Sequence, residues 1–541
     1  MISGAAFLRS PPFPGIAPAV AAVSRPDAVG VERVSDELLE DIARARVGGD
    51  FWGQCRTGFR VIIRAGMPVL PGMIDHVPAA EIAVVGRARR PTRGTWLTGA
   101  TDPWALMDSA QWVHASEDDE LAIVAGLMNV PVHGPDGIQI PPERLREVAR
   151  RAVGAASYRN CFTGDPASVA DVLFQLSEWR RQLETNRGFA AVTGMAWWKR
   201  EAMRRFLWDG VGSPPFLSPR GALRQAAREK GGVAYWPSRV PATFGDEAKA
   251  RGVAIAKVED GFLRSKGLGA ALTPPGSVVI DRRGIYYDAR GSSDLETLLA
   301  THDFAPALID RARRLRSAIR ASGVTKYGLE AGGMPDLPAG RRTVLVVGQV
   351  EDDLSVQQGG AGVAGNLALL ERARQVEPDA YIIYRPHPDV QAGLRRGHLN
   401  DGTVLGLADI VDTGAPLMAL VQAVDDVHVL SSLTGFEALL RDCPVTVHGM
   451  PFYAGWGLTR DLAQPNARRG RQLTIDQLVA AALILYPRYL DPVTRLPCGP
   501  EVMVERMASG STPPLSWLIR LRMMQGRIQR FMTLSAERFH G

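Results

Sequence analysis

Three groups of residues in the middle of the chain combine reactive side chains with the spacing of loops that follow strands. Glu259 and Asp260 stand before Gly261. Adjacent carboxylates at the end of a buried strand repel each other, and this can hold one of them ready as a general acid or base. Glu351, Asp352 and Asp353 follow Gly348-Gln349-Val350 and offer a second set of carboxylates. Arg385, His387, Pro388 and Asp389 place a cation and an imidazole on a rigid turn, while Ser431, Ser432 and Thr434 open a helix that holds Glu437. Each group also has a plain structural use: Asp-Gly as a turn, a His between prolines as a stiff corner, Ser-Ser-x-Thr as an N-cap.

Each motif is preceded by a short apolar run, at residues 253–258, 344–347, 381–384 and 427–430. Such runs, broken by glycine and polar residues, read as buried parallel strands, and open α/β sheets take their ligands at the carboxyl ends of strands. Residues 233–236 read as another strand, and residues 278–288 as a hairpin with Arg282-Arg283-Gly284 at its turn. Helical patterns cover residues 167–185, 304–322 and 475–487, the last placed to cross back and brace the first unit. Gly332 to Gly340, rich in Gly and Pro, is a linker, so that two α/β units occupy about 190–330 and 340–460. The expected division is 1–165, 166–335, 336–505 and a basic amphipathic tail, 506–541.

A chain of 541 residues exceeds one hydrophobic core. The net charge of +6 suits phosphorylated substrates or an anionic membrane surface, and without an aromatic-basic motif no nucleic-acid partner is expected. Cys55, Cys161, Cys443 and Cys498 are too scattered for a zinc or disulfide framework, which fits a reducing compartment. The Ala- and Pro-rich start lacks the pattern of a signal peptide, and no run of about 18 apolar residues occurs, so a cytoplasmic protein is expected. Residues 515–531 carry Trp517, Leu518, Leu521, Met524, Ile528 and Phe531 among four arginines, the pattern of a helix resting on anionic lipid or packed on the protein. Trp197, Trp198 and Lys199, with Arg200, Arg204 and Arg205 nearby, read either as a stacking and charge platform for a glycan or lipid head group or as the core and rim of a helix. The acidic run from Glu117 to Glu120 reads as a solvated helix start, with a metal or acid/base cluster as the alternative.

The ordered set carries a family resemblance. Glu259-Asp260-Gly261-Phe262-Leu263-Arg264-Ser265, Gln349-Val350-Glu351-Asp352-Asp353, Arg385-Pro386-His387-Pro388-Asp389 and Ser431-Ser432-Leu433-Thr434-Gly435-Phe436-Glu437 follow one another as in the capsule polysaccharide biosynthesis and export proteins of KpsC/KpsS type. Pro451-Phe452-Tyr453-Ala454-Gly455-Trp456-Gly457-Leu458-Thr459 is a further phrase of that family. The likeness runs from about 165 to 505 and is strongest to the second transferase module of the KpsC type. It implies a GT-B-like α/β fold, with two Rossmann-type units facing a cleft and an additional N-terminal α/β remnant. It also implies a retaining β-Kdo transferase that moves 3-deoxy-D-manno-octulosonic acid (Kdo) from CMP-β-Kdo onto a lipid-linked oligo-Kdo acceptor during capsule biosynthesis and export. In that reading Asp353 is the nucleophile and Glu259 or Asp260 the acid/base. Gln349, Asp352, Arg385, His387, Pro388, Ser431, Ser432, Thr434 and Glu437 bind the nucleotide sugar, and Trp197, Trp198, Lys199 and Arg264 contact acceptor or lipid. No metal and no cofactor beyond the CMP-Kdo donor is implied. The partners are the acceptor, the anionic inner-membrane surface on which the protein is peripheral, and other capsule assembly and export proteins. The alternatives are a transferase of the same architecture using another nucleotide sugar, and a catalytically silent capsule-assembly scaffold. The first 160 residues depart from a two-module protein, because no second Glu-Asp-Gly or His-Pro motif precedes residue 259. Residues 102–108 resemble the tail of a nucleotide-binding half, with Ser116 to Glu120 where a hydroxyl motif would stand, which implies a degenerate module and one bond made per polypeptide.

Overall fold

The computed structural model describes residues 6–30, 33–87, 93–263, 274–325, 333–393, 395–464 and 466–510. The basic segment 515–531 and Arg264 lie outside the described residues. Two compact units form, one from the chain up to Phe189 with Met203–Pro215 and Thr494–Pro497, the other from Ala190–Ala202, Phe216–Val493 and the chain from Cys498 onward. The first unit thus extends past residue 165, because the helix Val169–Asn186 packs Val172, Leu176 and Trp179 into its core.

In the first unit the apolar runs Val61–Arg64, Ile82–Val85, Thr95–Leu97, Trp112–His114 and Val132–His133 pair in parallel as one five-stranded sheet. Numbered along the chain, the order is third, second, first, fourth, fifth, that of a Rossmann-type sheet without its sixth strand. Helices start where short polar side chains cap them. Ser35 accepts from the Leu38 amide ahead of Asp36–Ala45, and Ser168 forms a reciprocal box with Asp171 ahead of Val169–Asn186. The acidic run is structural. Asp119 caps the helix Glu120–Leu127 and pairs with Arg64, Glu117 pairs with Arg144, and Glu120 pairs with Arg9.

The second unit holds two sheets. Gly232–Tyr235 and Ile255–Asp260 are parallel, Ser277–Asp281 runs antiparallel to Ile255–Asp260, and Pro487–Leu490 runs antiparallel to Ser277–Asp281. The hairpin expected over 278–288 is therefore not formed. Asp281 accepts from the Arg283 and Gly284 amides and turns the chain, and Ile285 to Asp288 form a turn rather than a return strand. Both neighbours of Ser277–Asp281 come from elsewhere, one of them from the returning C-terminal segment. That segment passes from the helix Ile475–Val479 through a π-helical turn, Ala480–Leu485, so the expected crossing back ends as a strand.

The other sheet is wholly parallel, in the order Ile410–Val411, Tyr381–Arg385, Thr343–Val347, Asp426–Val429, Val445–Val447, Arg460–Asp461. Its order reverses between Thr343–Val347 and Asp426–Val429, and a ligand crevice belongs outside the carboxyl ends at such a switch point. Every residue of Thr343–Val347 is buried, as a parallel strand covered on both faces requires.

At the other side of this sheet His428 and His448 lie fully buried, with His448 Nε2 3.2 Å from His428 Nδ1. Burial, reinforced by the charges of His428, Arg372 and Arg460, holds the His448 imidazole down at about 3, against 6.5 for an ordinary histidine. Below pH 6.5 the unfolded chain binds a proton here that the native chain does not, so stability is lost as pH falls from 6.5 toward 3. The expected loss between pH 7 and pH 4 is about 3 kcal/mol from this one group. Urea midpoints measured across that range check it: His448→Leu should flatten the acid limb, and an unchanged limb would assign the sensitivity to other groups.

Candidate functional site

The strand ends of the second unit bring the sequence motifs together. Asp353 caps the helix Leu354–Gly359, its Oδ1 accepting from the Ser355 amide at 2.9 Å, and the carboxylate is exposed. Glu259 and Asp260, consecutive on a strand, face opposite sides, as strand geometry demands. Asp260 Oδ1 meets Lys199 Nζ at 2.9 Å, and the Glu259 carboxylate accepts from the Asp260 amide at 3.1 Å. Tyr286 and Tyr287, on the turn after Ser277–Asp281, sense both carboxylate groups. Burial, then the charge of Glu259, with Asp353 also contributing, pushes both phenols above their usual range. Carboxylates from two different sheets thus act on one tyrosine pair.

Aromatic contacts fix this meeting. Phe262, next to Asp260-Gly261, stacks on Phe452 with centroids 4.6 Å apart and sets its edge against Tyr286 at 4.8 Å. Phe436, on the helix opened by Ser432, lies 5.2 Å from Phe452. The aromatic members of three motifs therefore pack on one another, and such pairs favour the offset and edge geometries found here. Gly359 lets the lobes approach: a Cβ there would stand 3.3 Å from the Tyr287 carbonyl oxygen and 3.4 Å from Ser431 Cβ.

The remaining candidates divide by orientation. His387 Nδ1 accepts from the Asp389 amide at 3.1 Å, which leaves the ring proton on Nε2 in the neutral form. Ser432 caps the helix Leu433–Leu439 and donates to Thr434 Oγ1 at 3.1 Å, so the N-cap role is real. Tyr453 donates to the Ser432 carbonyl and crosses the place a Cβ on Gly435 would need, 2.3 Å from the Tyr453 oxygen. Gln349 is turned inward: its side chain accepts from the Ser431 amide at 2.8 Å and donates to Ser431 Oγ at 3.1 Å. Arg385 is ion-paired with Asp412, Asp352 with Arg395 at 3.3 Å, and the half-buried Glu437 sits on the helix behind the hydroxyl cluster. Pro388 opens the short helix after His387.

Of the residues expected at an acceptor or lipid surface, Trp197 is 60% exposed and Trp198 half-buried, but Lys199 is 7% exposed. The ammonium of Lys199 lies 3.4 Å from the Trp236 ring centroid and 5.1 Å from that of Trp198, besides its bond to Asp260. Lys199 therefore holds a carboxylate rather than facing outward. This pairing, the tyrosine pair and Trp236 escape sequence reasoning. The sequence signal was the position of Trp236, at a strand exit like Gly261 and Gly348.

Among the described residues, Glu377, Asp426 and His428 bring ligand-type atoms within 4.8 Å of one another. Arg342 already bridges Glu377 and Asp426, at 3.0 and 2.9 Å, and Arg460 takes the other Glu377 oxygen at 3.0 Å. The carboxylates are matched by guanidinium charge, which makes this an ion-pair network.

The family model for the capsule polysaccharide biosynthesis protein matches residues 232–329 and 322–489, the stretch that carries all four motifs. The chain is 31% identical to the beta Kdo 2,7 transferase of Thermosulfurimonas dismutans KpsC, covering 100% of that structure with 60% of its own length at a TM-score of 0.50. The chain belongs to this capsule polysaccharide biosynthesis family. The beta Kdo 2,4 transferase of the same KpsC is 30% identical and is covered over 98% of its length, with 59% of this chain, again at a TM-score of 0.50. The capsule polysaccharide modification protein LipA of Neisseria meningitidis serogroup A is 36% identical over 366 residues, 68% of this chain and 52% of LipA. The lipopolysaccharide-processing protein LpsZ of Rhizobium meliloti is 46% identical over 241 residues, 44% of this chain and 54% of LpsZ. The chain thus spans about half the length of these two relatives. The two α/β lobes of the second unit are GT-B-like, as the family's solved members are. No helix among the described residues is long and apolar enough to cross a membrane.

Proposed function

We propose that this protein transfers Kdo from CMP-β-Kdo, with retention, onto a β-Kdo-primed lipid acceptor in capsule biosynthesis. The observation that carries the reading is the packing of Phe262, beside Glu259 and Asp260, on Phe452 and Phe436 of the lobe that holds Asp353, in a chain that covers a whole KpsC transferase structure. Retention by double displacement needs one carboxylate to attack and another to serve as acid/base. Asp353 attacks the anomeric carbon as CMP departs, and the acceptor hydroxyl oxygen, its proton taken by Glu259, then displaces the Asp353 carboxylate from that carbon. Asp260, ion-paired with Lys199, anchors the strand end. His387, through Nε2–H, and the donors at Ser431, Ser432 and Thr434 stabilise the charge on the departing phosphate. Gln349 sets Ser431 in place. Trp197 offers an exposed apolar face to the acceptor, and the protein works at the anionic inner-membrane surface beside other capsule assembly proteins.

Mass spectrometry of a synthetic β-Kdo-primed lipid incubated with CMP-Kdo generated in situ tests the reading. A gain of one Kdo residue is expected, with no gain from CMP-sialic acid or UDP-sugars. Folded protein that adds nothing to any acceptor would turn the reading toward a scaffold, and a gain from another donor would reassign the sugar.

A further inference from the structure

An anionic donor that enters this crevice meets the carboxylates of Glu259 and Asp353 and needs cations to offset them. Two cations near the motifs are already committed, Arg385 to Asp412 and Lys199 to Asp260. Two others stand at the exit of Thr343–Val347, on the segment that follows the His387 turn. Arg395 Nε lies 3.3 Å from both oxygens of Asp352, and Arg396 is exposed with no carboxylate partner among the described residues.

Their placement is enforced from beneath. Asn366 is 2% exposed and spends its side chain on three backbone groups: it accepts from the Gln349 amide and donates to the Gln349 and Gly397 carbonyls, each at 2.8 Å. The Glu351 amide donates to the Arg396 carbonyl at 3.1 Å, and Glu351 Oε1 accepts from the Asn366 amide at 2.8 Å. Gly397 has φ +120°, and a Cβ there would stand 2.6 Å from Asn366 Nδ2 and 2.9 Å from the Gln349 carbonyl oxygen. A buried amide and a glycine thus clamp an otherwise exposed pair of arginines onto the loop that carries Asp352 and Asp353. A loop used only as a connection has no need of a fully satisfied buried clamp.

We propose that Arg395 and Arg396 form the oxyanion-recognition edge of the candidate site, receiving a phosphate or carboxylate group of the substrate. The assignment rests on the donor reading above and deepens it. A planar guanidinium matches either group with two parallel N–H donors, and such charge-assisted pairs are the stronger kind of hydrogen bond. The two sources of the oxyanion in a CMP-ulosonic acid, nucleotide phosphate and sugar carboxylate, are separable. Binding of CMP is measured by calorimetry and binding of free Kdo by saturation-transfer NMR, for wild type, Arg396→Gln, Arg395→Gln and Gly397→Ala.

A tenfold or greater loss of CMP affinity in Arg396→Gln, with Kdo binding unchanged, supports the assignment and names the phosphate. The opposite pattern supports it and names the carboxylate. Gly397→Ala keeps both cations but displaces the clamp, so it is expected to lose the same ligand, whereas a general charge effect would leave it as wild type. Both ligands bound by all three variants as by wild type would overturn the assignment alone. Wild type that binds neither ligand would overturn it together with the donor reading.

Discussion

Asp353→Asn is expected to keep the fold and lose transfer by roughly a thousandfold or more, the order found when a reacting group is removed from a two-step mechanism. The fold should survive because the helix Leu354–Gly359 is capped by Asp353 Oδ1, and asparagine presents the same carbonyl oxygen to the Ser355 amide. What disappears is the negative charge and the nucleophilic oxygen. Glu259→Gln separates the roles further. Without the base, the second displacement slows more than the first, and the glycosyl-enzyme accumulates. Peptide mass spectrometry of Glu259→Gln with CMP-Kdo should then find a Kdo adduct on Asp353. An adduct on Glu259 or Asp260 in the corresponding Asp353 variant would exchange the assignments, and full activity in Asp353→Asn would remove Asp353 from the chemistry. Circular dichroism and an unchanged urea midpoint guard against a folding defect as the cause.

The strands that carry the motifs were legible because buried parallel strands leave a strong mark: 344–347 and 381–384 are unbroken apolar runs that stop at glycine or a charged residue. Partners were less legible. Ser277–Asp281 reads as half of a hairpin from its own alternation, but its pairing is decided by Ile255–Asp260 on one side and by a segment some 200 residues later on the other. Side-chain pairing across long separations was hidden for the same reason. Lys199, beside two tryptophans, reads as a surface cation until the strand 61 residues away brings Asp260 to it. Gln349 reads as a substrate ligand because it follows a strand, whereas its amide is taken by Ser431, 82 residues on. The acidic run from Glu117 to Glu120 shows the reverse case. Local rules for helix starts explain Asp119, and arginines from three other segments pair with Glu117, Asp119 and Glu120.

Those arginines bear on the role of the first unit, whose sheet repeats the strand order of the nucleotide-type sheet while its strand ends are closed by ion pairs instead of open hydroxyls. A buried charge network within this unit is centred on Asp102. Asp102 is fully buried, caps the helix Pro103–Met107 through the Trp104 and Ala105 amides, and meets Arg180 Nη2 at 2.8 Å and Arg187 Nη1 at 3.5 Å. Arg180, also buried, donates besides to the Arg46 and Phe51 carbonyls, so it cannot turn to solvent without breaking several bonds. Removing the carboxylate strips the helix of its cap and leaves the buried Arg180 guanidinium with only Glu184, 2.8 Å from its Nε, as counter-charge, and Asp102→Ala is expected to cost about 3 kcal/mol. Asp102→Asn, which keeps the cap and loses only the charge, should cost less. Urea unfolding gives the size of the change and hydrogen exchange its place: faster exchange in Val169–Asn186 and around Pro103–Met107, with Thr343–Val447 unaffected, is the expected pattern. Wild-type exchange in the first unit of Asp102→Ala would show that the guanidinium finds solvent after all.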